Sequence, residues 1–448
     1  MKSSKLLISY CLVLFLLGCH STKELVKKDV YPQSAKATNQ IEKSKLFSKS
    51  FTGFTLYDPT TKKTLEGILD DMYFTPASTT KILTCYTALN VLGDSLPAIR
   101  YVIDDNRLIF WGTGDPSLLN PNLGNNKKVI DFLKSRKEKL YYAPQLVDAR
   151  FGAGWAWDDY NYGFMLEKDD FPLYGNKTHW KFKRGRKKPT CTPSYFNSSV
   201  EEVETLGNGR IARAEHENIF KFKNSSSLSA RSSTIPMKTS AILTQKLLSN
   251  LLKRPVHLYN YSSKLNKRKD VKTIYSTSLD EALRKMMQPS DNFLAEQLLL
   301  MASYELFNVF NTKKIIAHAK KKFFKKTPDV LVWRDGSGIS RYNLFTPRSL
   351  VYLLDHMRKD YGEARLLKIF PAGGESGTIK KWYKSDTTTP YVYAKTGTLS
   401  NKHCLSGYIK TKSGKTLIFS FMHNNYITGS SPLKKEMTKV LELIREQY

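Results

Sequence analysis

Ser78 and Lys81 stand three residues apart in "FTPASTTKILTCYTALNVL", just after Pro76 and at the head of a helix-compatible apolar run. Residues spaced i, i+3 share one face of a helix, so the two side chains meet. A helix cap beside a solvated lysine is the bland reading; a nucleophile beside its base is the sharp one. A serine hydroxyl attacks poorly until a base takes its proton. The positive end of a helix favours charge developing on that oxygen. A lysine can serve as the base only while its amine is neutral, which burial and a second nearby cation both promote.

Two further short motifs follow in the chain. Ser290-Asp291-Asn292 comes directly after Pro289, and Lys395-Thr396-Gly397 is followed by Thr398. Each motif is weak alone. Ser431 and Lys434 repeat the first spacing at the start of a terminal helix, and Lys412-Ser413-Gly414 repeats the third at a hairpin tip. The three in order resemble the signature set of penicillin-recognising serine enzymes: Ser-x-x-Lys, Ser-Asp-Asn, Lys-Thr-Gly. Their contexts agree with that set, since the first opens a helix, the second interrupts two helices and the third ends a strand. On that resemblance Ser78 attacks and Lys81 takes its proton, with Lys395 as the second cation. Ser290 relays a proton to the leaving amine, and Asn292 holds Lys81 and a substrate amide. Lys395 attracts a terminal carboxylate, Thr396 and Thr398 offer hydroxyls, and Gly397 lets the strand approach the substrate closely. The backbone N–H groups of Ser78 and Thr398 would form the oxyanion hole.

The elements that must position these groups are partly legible. "FTGFTLYDPTTKKTLEGI" alternates and turns at Asp58-Pro59, a hairpin signal. Ile82, Leu83, Tyr86, Leu89 and Leu92 recur at helical spacing after Ser78. From residue 94 to 235 the texture shifts to short strands, Gly/Pro turns, a basic loop at 181–190 and a Ser-rich run, which reads as a β-rich insert. "SAILTQKLLSNLL" is helical. "SLDEALRKMMQPSDNFLAEQLLLMASYELF" is helix, break, helix, with Pro289 at the break. "PYVYAKTGT" reads as a strand, "CLSGYIKTKSGKTLIFSFM" as a hairpin, and "SSPLKKEMTKVLELIREQY" as a helix capped by Ser431 with Pro432 first. The expected fold is an α/β (α+β) serine β-lactamase/transpeptidase-like domain. An antiparallel sheet flanked by helices comes from residues 48–93 and 236–448, interrupted by the insert at 94–235.

Removing that insert leaves about 260 residues, an ordinary domain size. An insert between the first two motifs resembles the D-alanyl-D-alanine carboxypeptidase/endopeptidase branch, peptidase family S13, also called class C low-molecular-mass penicillin-binding proteins. "TPASTTK", "GTGDPSLL", "GWAWDD", "DGSGISRYN" and "GGESGTI" support that branch. The resemblance implies cleavage of the terminal D-alanine from peptidoglycan stem peptides through an acyl-enzyme on Ser78, and cleavage of D-alanyl cross-links at the same site. It implies β-lactam antibiotics as covalent inhibitors. It further implies that Trp155, Asp158 and Arg341 help to recognise the stem peptide's amine-bearing side chain. Their plain alternatives are a core tryptophan, a turn aspartate and a structural ion pair. No cofactor is implied, and the eight histidines and five cysteines show no metal-ligand spacing.

Across all 448 residues, 71 Lys and Arg against 40 Asp and Glu give a formal charge of +31, which points to an anionic partner or surface. The N-terminus selects among these. "MKSSKLLISYCLVLFLLGC" has a basic start, an apolar run too short for a comfortable membrane span, and a Leu-x-Gly-Cys ending. It resembles a bacterial lipoprotein signal over residues 1–18, with lipid attached to Cys19 and a polar tether from 19 to 47. Export to the periplasmic side of a bacterial membrane, with the lipid as membrane partner, argues against nucleic acid as a target. Cys85, Cys191 and Cys404 are too few and too scattered for a disulfide framework.

Two other functions share the fold. A serine β-lactamase needs fast hydrolysis of its acyl-enzyme, yet the chain lacks Glu-x-x-Leu-Asn after Asn292, and it carries Ser290 where another class uses tyrosine. A catalytically inactive lipoprotein that binds cell wall would be expected to have lost part of the trio, which is intact. A Ser-His-Asp hydrolase is disfavoured because no Gly-x-Ser-x-Gly elbow occurs.

Overall fold

A computed structural model describes residues 35–183, 188–206, 210–223, 231–260, 265 and 267–448. The signal segment 1–18, Cys19 and the start of the tether lie outside the described residues, as does the middle of the basic loop.

Strands buried along nearly their whole length build the first sheet. Five strands run antiparallel in the order Val392–Leu399, Lys402–Lys410, Thr416–Asn424, Phe51–Asp58, Lys63–Ile68. The last two form the expected hairpin, closed where Asp58 Oδ1 accepts the Thr60 N–H at 2.8 Å. Because side chains alternate along a strand, the sheet has two apolar faces. Leu405, Ile409, Leu417 and Phe419 pack beneath the terminal helix Ser430–Gln447 through Leu433, Met437, Val440, Leu441 and Ile444. Cys404, Tyr408, Ile418 and Met422 pack on the other side against the helices Lys81–Val91, Leu279–Met287, Asn292–Phe307 and Pro347–Tyr361.

Three expectations need correction. Residues 36–43 are not tether. They form the helix Lys36–Lys43, whose Ala37 and Ile41 enter the core under the terminal helix, as Phe47 does just beyond. Polar composition hid it because only one narrow stripe of so short a helix is apolar. The terminal helix begins at Ser430 with Gly429 at the N-cap position, so Ser431 lies within the first turn and caps nothing. The inserted segment also runs further than 235. Its main sheet orders Val256–Leu258, Lys139–Tyr142, Arg107–Gly112, Ser95–Asp104 and Lys272–Ser278, the first three parallel and the rest antiparallel. The insert thus spans Ser95–Ser278 and includes the helices Lys128–Ser135 and Ala241–Leu252. Among the described residues, two three-stranded sheets complete it. Its core, around Phe110, Leu133, Tyr142, Trp180 and Leu248, is separate from the catalytic one.

The helix Lys81–Val91 is buried all round from Lys81 to Leu89. It is therefore a central helix, and its charged first residue is sealed inside the protein.

Candidate active site

Ser78 lies in a 3-10 turn, Ala77–Thr80, and the α-helix begins only at Lys81. The sequence places Ser78 within the helix; the tighter turn instead eclipses i and i+3, setting Lys81 directly against Ser78. Ala77 has φ +47, a conformation that ordinary residues rarely adopt. The Thr79 and Thr80 hydroxyls fasten this turn by donating to the carbonyls of Pro76 at 2.7 Å and Ala77 at 2.8 Å. Ser78 is partly exposed while both neighbours are buried.

The Lys81 Nζ donates to three oxygens: Ser78 Oγ at 3.0 Å, Asn292 Oδ1 at 2.7 Å and the Ser337 carbonyl at 2.7 Å. An ammonium has three hydrogens, so all are used. The side chain is fully buried, and burial pulls its pKa down to about 8, against the opposing pull of Asp335, Asp291 and Glu296.

Lys395 is also fully buried, with Nζ donating to Ser290 Oγ at 2.8 Å and to the Thr396 carbonyl at 2.7 Å. Burial, and then the charge of Lys81, hold its pKa well below the ordinary lysine value. The expected influence runs the other way round: Lys81 depresses Lys395, whereas burial accounts for the shift at Lys81. The Ser290 hydroxyl is held from a left-handed backbone, φ +64, in the break after Pro289. Asp291 then caps the next helix, accepting the Leu294 N–H at 3.0 Å. The insert grips the same corner. Asn122 donates to Asp291 Oδ2 at 2.9 Å, and Asn292 donates to the Phe164 carbonyl at 3.2 Å.

The strand Val392–Leu399 carries Lys395 past the Ser78 turn at a separation only glycine permits. A Cβ on Gly397 would stand 2.3 Å from Pro76 O and 2.9 Å from the Ser78 and Thr79 nitrogens. The Thr396 hydroxyl bonds that of Thr378 at 2.7 Å, and the exposed Thr398 pairs its hydroxyl with His403 Nδ1 at 2.9 Å. The structure thus brings Ser78, Lys81, Ser290, Asn292, Lys395, Thr396, Gly397 and Thr398 together.

A third wall was not assigned from the sequence. The buried Asp335 carboxylate accepts from Gly338 N at 2.9 Å, Asn343 Nδ2 at 2.7 Å, Ser340 N at 2.7 Å and Trp155 Nε1 at 2.8 Å. These bonds fold the Asp335–Asn343 loop so that the Ser337 carbonyl meets Lys81. Gly338 presses on the Ser78 turn, where a Cβ would stand 1.9 Å from Ala77 O. Glu296, one helical turn beyond Asn292, accepts the Ser337 N–H at 2.7 Å. Its other oxygen has no partner among the described residues, and burial, then Asp335, push its pKa up to about 7. The only sequence signals for this wall were the glycines of "DGSG" and an acid four residues after Asn292.

The three side-chain-pocket candidates fare differently. Trp155 is half-buried and spends its N–H on Asp335, next to the loop that touches Lys81. Asp158 and Arg341 are both exposed, with no ion pair between them among the described residues. The half-buried Asp159 feels both: burial and Asp158 raise its pKa, and Arg341 opposes them. Cys85 lies one helical turn after Lys81. It is fully buried, and burial pushes its thiol far above the ordinary range.

The model of the D-Ala-D-Ala carboxypeptidase 3 (S13) family matches residues 34–447. The chain is 28% identical over 178 residues to D-alanyl-D-alanine carboxypeptidase DacB of Haemophilus influenzae, spanning 39% of this chain and 37% of that protein. Its fold matches the crystal structure of penicillin binding protein 4 from the same organism at a TM-score of 0.71 and 19% identity, covering 93% of this chain and 100% of that one. A predatory peptidoglycan endopeptidase of Bdellovibrio bacteriovorus matches at 0.51 and 16% identity, over 88% of this chain and 93% of that one.

Proposed function

Because the chain belongs to the D-Ala-D-Ala carboxypeptidase 3 (S13) family, we propose that it is a serine D-Ala-D-Ala carboxypeptidase acting on peptidoglycan stem peptides, with D,D-endopeptidase action at the same site. The observation that carries this reading is Lys81 Nζ, buried and 3.0 Å from the Ser78 hydroxyl, in a cleft shared with Ser290, Asn292 and Lys395.

Ser78 Oγ attacks the carbonyl carbon of the penultimate D-alanine as neutral Lys81 accepts its proton. The tetrahedral oxyanion is held by the Ser78 and Thr398 N–H groups, and each such donor is worth about 10²–10³ in rate. When the C–N bond breaks, the departing D-alanine amine takes the Ser290 proton, and Ser290 takes one in turn from the Lys395 ammonium that donates to its oxygen. Water then attacks the ester carbonyl, its proton returning to Lys395 through Ser290, while Lys81 gives the Ser78 proton back to Oγ as the shortened peptide leaves. Asn292 fixes Lys81 with its oxygen. Lys395, Thr396 and Thr398 receive the terminal carboxylate, and the arrival of that anion favours the ammonium form of Lys395. Trp155, Asp158 and Arg341 lie toward the substrate's side chain, where an acid suits a free amine. The enzyme works outside the cytoplasm, held to a membrane by lipid on Cys19.

Fluorescent penicillin tests the reading directly. Wild type becomes covalently labelled, Ser78→Ala does not, and wild type releases D-alanine from a stem pentapeptide. Folded wild type that takes no label would refute the proposal.

A further inference from the structure

His403 sits on the strand paired with the Lys-Thr-Gly strand, directly across from Thr398. It is fully buried. Nδ1 lies 2.9 Å from Thr398 Oγ1, and Nε2 has no hydrogen-bond partner among the described residues. The neighbouring His423 repeats the arrangement, with Nδ1 2.9 Å from Thr52 Oγ1 and Nε2 unpartnered. Burial, together with the Lys434 charge, keeps His403 neutral down to about pH 3.

A neutral imidazole carries one N–H and one bare nitrogen. If the hydrogen were on Nε2, a buried N–H would be orphaned while Nδ1 consumed the Thr398 proton. If it is on Nδ1, only a lone pair is left unpaired, and orphaned buried N–H groups are the rarer of the two defects. The second tautomer has a consequence for the cleft. Nδ1–H donates into Thr398 Oγ1, so the threonine's own O–H is free to point away from His403. Thr398 is the exposed member of the Lys-Thr-Gly-Thr run, so that proton is open to an arriving ligand.

We propose that His403 is a positioning residue: its Nδ1–H fixes Thr398 as a hydrogen-bond donor into the cleft, selecting substrates that end in a carboxylate. This rests on the carboxypeptidase reading above and adds the group that sets the direction of the Thr398 hydroxyl. An anion can only accept, so a threonine whose proton was already committed to His403 would meet it lone pair to charge.

Two arms test it. In the first, the 15N shifts of the His403 ring, assigned by loss of signal in His403→Leu, show a protonated Nδ1 and a bare Nε2; protonated Nε2 overturns the proposal whatever the enzyme does. In the second, steady-state kinetics compare an acyl-D-Ala-D-Ala peptide with its C-terminal amide. His403→Leu raises KM for the carboxylate about tenfold, the scale of one hydrogen bond to a charged group, with kcat within about twofold and the amide unaffected. His403→Asn, which restores a donor near the Nδ1 position, recovers most of that KM. Thr398→Val raises KM similarly, and the double variant His403→Leu/Thr398→Val is no worse than Thr398→Val alone. Equal losses on both substrates, or no recovery in the folded His403→Asn variant, mark a merely structural histidine and refute the inference. Wild type that fails to acylate with penicillin refutes the carboxypeptidase reading instead, and the tautomer arm still decides the hydroxyl's direction.

Discussion

On the proposed mechanism the acylation rate should rise with pH through a midpoint near 8 and level off above about pH 9, because Lys81, the proposed base, must lose its proton first. Burial brings the Lys81 pKa from 10.5 down to about 8. At pH 7 that leaves about 9% of the side chain neutral, against about 0.03% for an unperturbed lysine. The net shift thus raises the concentration of competent base by roughly 300-fold at pH 7. The second-order rate of labelling by fluorescent penicillin, measured from pH 5.5 to 9.5, is expected to climb about tenfold from pH 6 to 7 and reach half its maximum near pH 8. The penicillin carboxylate keeps its charge throughout, so the limb belongs to the enzyme. Lys81→Arg keeps a cation that cannot be neutral at these pH values, and should cost at least about 10²-fold at the plateau. A rate that is flat or falls between pH 6 and 9 would refute the base assignment, as would a Lys81→Arg enzyme that keeps the wild-type profile.

Other consequences are equally direct. Glu296→Gln removes a negative charge that favours charged Lys81, so the midpoint of the acylation limb should move to lower pH; an unchanged midpoint would show that the two groups do not communicate. The same residue makes a stability prediction. Its folded pKa of about 7 lies above the ordinary 4.5, so it binds its proton more tightly when folded, and stability is lost as pH rises from about 4.5 to 7. Glu296→Gln should flatten this window, by at most about 3 kcal/mol in urea unfolding at pH 7.5 relative to pH 4.5. Gly397→Ala drives a methyl group onto the Pro76 carbonyl; labelling should fall about 10²-fold for a shift near 1 Å, with about 1–3 kcal/mol lost in urea. Asp335→Asn puts an amide donor against the Ser340 and Trp155 N–H groups, or against those of Gly338 and Asn343. Stability should drop by about 2–4 kcal/mol, and labelling should fall with it as Ser337 shifts.

Much of the catalytic fold was legible because the relevant signals are local. Asp58-Pro59 marks a hairpin, Pro289 marks a helix break, and apolar runs punctuated by Gly397 and Ser413-Gly414 mark the strands around Lys395. The failures share a cause as well. The helix Lys36–Lys43 is stabilised by what it covers, Ala37 and Ile41 lying beneath the terminal helix, and eight polar-looking residues announce no such partner. The far boundary of the insert moved for the same reason. Lys272–Ser278 has only modest strand character alone and belongs to the insert because it pairs antiparallel with Ser95–Asp104. Pairing across more than 170 residues is invisible to a local pattern.

At the site, residue types were readable and the electrostatics were not. Ser-x-x-Lys gives a serine and an amine on one face, but not whether the amine is neutral. That depends on the helix Lys81–Val91 being buried on all sides, a property of everything packed around it. Nor does the motif show that the third acceptor on Lys81 is the Ser337 carbonyl, delivered by a loop 256 residues away. The loop takes its shape from Asp335, whose carboxylate gathers four donors, one of them the Trp155 indole from the insert. Trp155 therefore has two jobs at once: its ring borders the proposed side-chain pocket, and its N–H braces the loop that holds Lys81. Trp155→Phe separates them, because it keeps an aromatic ring and removes the N–H. If bracing matters, the substitution slows penicillin acylation, a reaction that uses no stem-peptide side chain, and costs about 1–3 kcal/mol in urea. If only the pocket matters, penicillin acylation is untouched and KM rises for the stem peptide alone. The 2.8 Å bond to a fully buried carboxylate favours the first outcome.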